Sequence, residues 1–181
     1  MKEIRLHGRG GQGVVTGAEI IVHGAIEQDK FASCFPFFGF EKKGGPVAAF
    51  VRIDDQKIRP KSMIYNPDCV VVVDPTIMNS VNVFEGLKAE PEGWAIINCE
   101  SPSQVNLAPE VKKFGWLNAH EISIEIFGKP LPNTVMLGAF AKLTGWVEVD
   151  FVAQKASELW GPKNIEAVKR GAEAAQLIER K

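Results

Sequence analysis

Residues 7–17 read HGRGGQGVVTG, and what surrounds this stretch decides the fold. The run KEIRLH (2–7) ahead of it alternates polar and apolar residues, which is the pattern of a strand. Behind it, Val14, Val15, Ala18, Ile21, Val22, Ala25 and Ile26 recur at helical spacing, so a helix is expected from Gln12 to about Gln28. Between the two, Gly8, Gly10 and Gly13 spell G-x-G-x-x-G. A strand, a tight glycine turn and a helix start in that order offer free N–H groups and a partial positive charge to an anion such as a phosphate.

A dinucleotide site needs more than this turn. It needs a second parallel strand ending in an acid about 20 residues later, to hold the ribose hydroxyls. That interval holds instead the end of the helix and KFASCFPFFGFEKKGGP (30–46), which has no clear period and is expected to be a long ordered loop. Glu27 and Asp29 fall on the last turn of the helix, and Asp54 ends a strand too far along the chain. A stand-alone dinucleotide-binding oxidoreductase is therefore the lesser reading. The glycines equally suit close packing against a neighbouring subunit or another cofactor.

Further along, VAAFVRID (47–54) reads as a strand, DDQ as a turn and KIRP (57–60) as a short return strand, making a hairpin. CVVVVD (69–74) is a β-branched run of the kind buried on both faces of a parallel sheet, and WAIIN (94–98) and FGWLNA (114–119) are further strands. The last third is helical: HEISIEIFG, NTVMLGAFAKLTG, VDFVAQKASELWG and PKNIEAVKRGAEAAQLIERK carry apolar residues at three- and four-residue steps, with a stop and restart at Gly161-Pro162. In the final helix Ile165, Val168, Ala172, Ala175 and Ile178 form one stripe that packs on its own domain. The expected fold class is α/β: a single Rossmann-like domain over 1–181, with a mainly parallel twisted sheet, an added β-hairpin and a helical C-terminal part.

Composition narrows the function. With 181 residues, 45% hydrophobic, 24% charged and a formal charge of -1, nothing draws the chain to nucleic acid or an anionic membrane. It has neither the roughly 20-residue apolar run of a membrane span nor the apolar core of a signal peptide, so a cytoplasmic protein is expected. Cys34, Cys69 and Cys99 form no C-x-x-C pair, which argues against an iron–sulfur or zinc site built by this chain alone. Spacing assembles no acid/base dyad and no activated nucleophile, so no catalytic residue is assigned.

Three stretches taken together, GRGGQGVVTGAEI (8–20), FPFFGFEKKGGPVAAFVRI (35–53) and IYNPDCVVVVDPT (64–76), resemble the gamma subunit or gamma domain of the 2-oxoacid:ferredoxin oxidoreductases of the pyruvate and branched-chain oxoacid type. The resemblance runs from the first strand to the last helices. It implies a component of an enzyme that decarboxylates a 2-oxoacid on thiamine diphosphate, passes electrons through iron–sulfur clusters to ferredoxin and hands the acyl group to coenzyme A. It also implies that thiamine diphosphate and the clusters belong to partner subunits of alpha, beta and delta type, with ferredoxin met only indirectly. A non-catalytic assembly module is the alternative. Where many relatives carry arginines and an alanine, as in GVERRGAPV, this chain has GFEKKGGPV (39–47). Lysine keeps the charge but loses the bidentate fork.

On that footing the first candidate surface is Gly8, Arg9, Gly10, Gly11, Gln12 and Gly13, a backbone nest for a phosphate of coenzyme A or a contact with the thiamine-bearing subunit. The second is Lys42, Lys43, Gly44 and Gly45, flanked by Glu41 and Pro46, where two cations meet phosphates or merely face solvent. Phe35, Phe37, Phe38 and Phe40 are too many aromatics for an open loop, so they anchor it on the core or against a partner, and an isolated chain is expected to pair with a second copy. His7 is read as a strand-end histidine rather than a proton carrier, His23 and His120 as structural or exposed, and Cys34 as an inert thiol. Asp74, at the C-terminal end of a buried strand, either binds ligand or caps the turn after Pro75.

Overall fold

The computed structural model describes residues 1–38, 44–91 and 93–180. In chain order the elements are β1 (Lys2–Arg9), α1 (Val14–Ile26), β2 (Phe31–Phe38), β3 (Pro46–Asp54), β4 (Cys69–Val72), β5 (Trp94–Asn98), β6 (Lys113–Leu117), α2 (Ala119–Phe127), α3 (Asn133–Thr144), α4 (Val149–Trp160), α5 (Lys163–Ala174) and β7 (Gln176–Glu179). Short 3-10 turns cover Pro75–Asn79 and Pro102–Gln104. The strands form one seven-stranded sheet in the order β2-β3-β1-β4-β5-β6-β7. β1, β4, β5 and β6 pair in parallel, while β3 lies antiparallel between β1 and β2, and β7 pairs antiparallel with β6. All strands but β3 and β7 therefore point the same way, and the expected α/β class with a mainly parallel sheet holds.

Three expectations for local structure are corrected. Residues 31–38 of the expected loop are the edge strand β2. Its period of two is masked because small residues take one face and aromatics the other: Ala32 and Cys34 pack on the helix-side core, and the rings of Phe35 and Phe37 turn to Phe50, with centroids 4.9 and 6.4 Å away. An edge strand also tolerates Pro36, whose missing N–H would cost a ladder bond in a central strand. The hairpin is consequently β2 with β3, and 57–60 adds no strand. Finally, the last helix stops at Ala174, and Leu177 and Ile178 enter β7, held by Arg180, whose guanidinium donates to the carbonyls of Ala108 and Val111.

Register separates the two faces. Ile4 and Leu6 stand beside Val51 and Ala49 and beside Cys69 and Val71, and this face is covered by helices packed around Ile20, Ile21, Met136 and Phe140. Each such side chain fully buried is worth about 1.5–3 kcal/mol. The opposite row runs Phe35 and Phe37, Phe50 and Ala48, Arg5 and His7, Val70 and Val72, Ala95 and Ile97. No α-helix covers it among the described residues. Irregular segments carrying Ile77, Val83, Phe84, Leu87 and Val111 do so over β4, β5 and β6.

α3 and α5 cross backbone to backbone. A Cβ at Gly138 would lie 1.9 Å from the Val168 carbonyl oxygen, and one at Gly171 would lie 2.0 Å from that of Val135. Gly138→Ala is therefore expected to lower the unfolding free energy by about 1–3 kcal/mol through overpacking. Helix propensity by itself would raise it by about 1 kcal/mol. Urea denaturation reads the sign, and a gain in stability would mean that the crossing is not tight.

Candidate functional site

The parallel strands end at one edge of the sheet. From β1 the chain turns aside into α1 and the β2–β3 hairpin, whereas from β4 it turns the other way to β5. The C-terminal ends of β1 and β4 thus form the point where strand order reverses, which is where open α/β sheets hold ligands. Gly8 to Gly13 lie on one side of that point, and Asp74, Pro75 and Thr76 on the other.

Because β3 is antiparallel to β1, its start lies beside the end of β1, with Arg9 opposite Pro46. This brings Gly44 and Gly45 onto the glycine turn. The Gly10 N–H donates to the Gly45 carbonyl at 2.9 Å, and Arg9 Nη1 donates to that of Gly44 at 3.2 Å. Gly44 and Gly45, the described part of the second candidate surface, thus adjoin the first. Lys42 and Lys43, with Phe40 and Glu41, lie outside the described residues.

Inside the turn the polar side chains are used to hold it. Gln12 accepts from the Arg9 N–H at 2.7 Å through Oε1 and donates from Nε2 to Asp74 Oδ2 at 2.7 Å. Arg9 donates from Nε and Nη2 to Thr76 Oγ1 at 3.0 and 2.8 Å, and its Nε stands 3.4 Å from Asp74 Oδ2. Thr76 in turn donates its hydroxyl and its N–H to Asp74 Oδ1 at 2.6 and 2.9 Å. Asp74 is therefore both the cap of the turn after Pro75 and the anchor of the glycine turn. Burial by itself would raise its carboxyl pKa, but the bonds from Thr76 and Gln12 and the charge of Arg9 pull it below the usual range.

The outer side of the turn is open. Gly11 is exposed at the tip, and Gly13, the N-cap of α1, offers no side-chain cap, leaving the first N–H groups of the helix for another acceptor. Gly13 itself takes φ 73°, and a Cβ there would lie 2.4 Å from Asn133 Nδ2 and 3.5 Å from the Trp160 ring. The starts of α1 and α3 and the end of α4 thus meet at this edge. Sequence reasoning missed Thr76, Asn133 and Trp160. The D-P-T step after a buried strand was a signal for Thr76, while Asn133 and Trp160 come from remote helices and left none.

The acid that a dinucleotide site requires is out of place. Asp54 is at the far end of β3, 3.3 Å from the Met1 amine and roughly 24 Å along the sheet from the turn at ~3.4 Å per residue. The next strand parallel to β1, β2, ends in Phe37 and Phe38.

His7 is buried on the helix-free face, where its Nε2 accepts from Arg5 Nε at 3.0 Å. Burial first, then the Arg5 charge, lowers its pKa to about 3. Arg5 gives its remaining donors to the carbonyls of Ile64, Val83 and Glu85. Beside it Arg52 pairs with Glu3, and Lys88 bridges Glu3 and Asp68. These polar side chains clamp residues 62–64 and 83–88 onto the sheet. His23 is exposed, His120 is half-buried with Nδ1 3.3 Å from Asn98 Nδ2, and Cys34 is half-buried with its thiol pKa raised by burial and by Glu19.

Asp74→Asn replaces one acceptor oxygen by a donor facing Thr76 or Gln12, and is expected to cost about 1–3 kcal/mol of stability in a denaturant titration. The unfolded chain protonates His7 near 6.5 and the folded chain only near 3, so His7 favours folding above pH 6.5 and that contribution declines as pH falls toward 3. In an NMR titration its imidazole should stay unprotonated from pH 8 to 5. A midpoint near 6.5 would contradict the buried Arg5–His7 pairing.

Residues 3–177 match the family described as pyruvate ferredoxin/flavodoxin oxidoreductase. The chain is 41% identical to the pyruvate/ketoisovalerate oxidoreductases common subunit gamma of Pyrococcus furiosus, over 99% of this chain and 100% of that one. It is 45% identical to the pyruvate synthase subunit PorC of Methanothermobacter thermautotrophicus, over 98% of each. Among solved structures, the pyruvate oxidoreductase subunit PORC of Thermotoga maritima superposes with a TM-score of 0.85 at 29% identity, over 98% of each chain.

Proposed function

This chain belongs to the pyruvate ferredoxin/flavodoxin oxidoreductase family as a gamma subunit, and on that premise we propose which part of the complex it serves. It docks with alpha-, beta- and delta-type subunits through the edge built from Gly8, Arg9, Gly10, Gly11, Gln12, Gly13, Gly44 and Gly45, and lines the coenzyme A side of the site there. The whole chain, 1–181, acts as one domain in a cytoplasmic complex. That complex converts a 2-oxoacid and coenzyme A to acyl-CoA and CO2, with the electrons passing to ferredoxin. Thiamine diphosphate and the iron–sulfur clusters are held by the partners.

The observation that carries this reading is the Gly10–Gly45 hydrogen bond, which brings the glycines of the second surface to the turn at the switch point. The residues fit a phosphate-bearing ligand there: α1 presents uncapped N–H groups, and a Cβ on Gly11 would meet nothing within 4 Å. Arg9 and Gln12 serve as positioning residues, because their polar atoms are already engaged with Asp74, Thr76 and Gly44. The cations left to meet phosphate are Lys42 and Lys43, which adjoin Gly44 in the chain.

The chain alone, given pyruvate, coenzyme A and oxidised viologen, should give no reduction, while the reconstituted complex should. In that complex Lys42→Ala with Lys43→Ala is expected to raise KM for coenzyme A by roughly threefold to thirtyfold, as two ion pairs worth up to about 1 kcal/mol each would, with KM for the oxoacid unmoved. An unchanged KM for coenzyme A would remove the ligand role from this edge, and turnover by the chain alone would remove the division of labour.

A further inference from the structure

The helix-free face of the sheet is covered over β4, β5 and β6 but not over the hairpin side. A groove of about 530 Å³ remains there, walled by Phe37, Ala48, Phe50, Met63, Tyr65 and Val81. Phe37 is 48% exposed and Tyr65 66%, so two aromatic rings stand in solvent at the mouth of an apolar trough. Its walls do not close on one another, because Arg5 and Arg52 clamp 62–64 and 83–85 by carbonyl hydrogen bonds that fix the width.

Cationic side chains lie in the groove and along the chain that leads into it. On its floor Arg5 donates to three carbonyls and to a neutral imidazole, and the charge of Glu85, which also lines the groove, offsets it. Lys57, Arg59 and Lys61 are exposed along the irregular segment that leads into the Met63 wall, with Ile58 half-buried between them. None of the three forms an ion pair among the described residues.

From these observations we infer that the groove receives an acidic, amphipathic segment of a partner subunit, its apolar side chains between Phe37, Phe50 and Tyr65 and its carboxylates toward Lys57, Arg59 and Lys61. The inference rests on the reading of this chain as one subunit of a complex. A second copy of the chain fits worse: in a two-fold interface the same patch faces itself, which brings the two cationic rows together. A partner with carboxylates at the rim gains both faster association and salt-sensitive register.

The test uses the complex assembled from co-expressed subunits. Two variants separate the parts: Lys57→Glu with Arg59→Glu and Lys61→Glu reverses the rim, and Ala48→Trp fills the trough. Circular dichroism and thermal melting establish that each variant is folded. Association of the unaltered chain should weaken as salt rises from low to about 0.5 M. Rim reversal should weaken assembly by at least about tenfold at low salt and invert that salt dependence, because salt then screens a repulsion. Ala48→Trp should weaken assembly by a similar factor while keeping the salt slope. Folded variants that assemble like the unaltered chain would overturn the inference while leaving the gamma-subunit reading intact. Failure of the unaltered chain to assemble would instead fall on that reading. A chain that is dimeric by light scattering, and monomeric once Ala48→Trp is introduced, would make a second copy the occupant and overturn the inference.

Discussion

The insertion of β3, antiparallel, between β1 and β2 is the constraint from which the rest follows. An antiparallel strand starts where its neighbour ends, so Pro46 lies opposite Arg9 and the glycines before it are delivered to the turn. The same geometry carries Asp54 to the opposite end of the sheet. It also takes the place beside β1 where a dinucleotide-binding fold would put its second parallel strand with the ribose-holding acid. One choice of strand direction thus leaves the glycine turn at the switch point without the neighbouring acid that a dinucleotide site requires.

The turn so placed is held from inside. Asp74 gathers Gln12, Thr76 and Arg9, so the buried carboxylate has donors on both oxygens and the switch point is bridged by side chains. A charge taken out of water persists only when paired and hydrogen-bonded, and this one is. The arginine that a sequence reading offers to a ligand is consumed in this way. What remains available outward is backbone: the tip at Gly11 and the first N–H groups of α1. A surface made of backbone rather than long side chains suits close approach by a neighbouring subunit as well as by a phosphate.

The second consequence of β3 lies on the helix-free face. Phe50 and Ala48 of β3 extend the apolar row beyond Arg5 and His7, past the reach of the segments that cover β4 and β5. Arg5, Arg52, Glu3, Asp68 and Lys88 pin those segments at the boundary. The neutral state of His7 belongs to this arrangement, since its ring nitrogen must accept from a guanidinium.

What the sequence determined by itself was local. The β-branched runs at 69–74 and 94–98, the glycine turn, the helical period after it and the Gly161-Pro162 break each depend on neighbours within a few residues, and each stands where it was expected. The resemblance carried by three motifs in order likewise identified the family. What only the tertiary structure decided was pairing between distant segments. Residues 31–38 are a strand because β3 offers them an edge, with rings on one face and small residues on the other hiding the alternation. Residues 176–179 leave the helical pattern because β6 has an open edge and Arg180 finds carbonyls at Ala108 and Val111. Arg5 in KEIRLH is buried because chain more than 50 residues away folds over it. A ladder or a buried ion gains its stabilisation from remote partners, and local periodicity holds no record of where those partners lie.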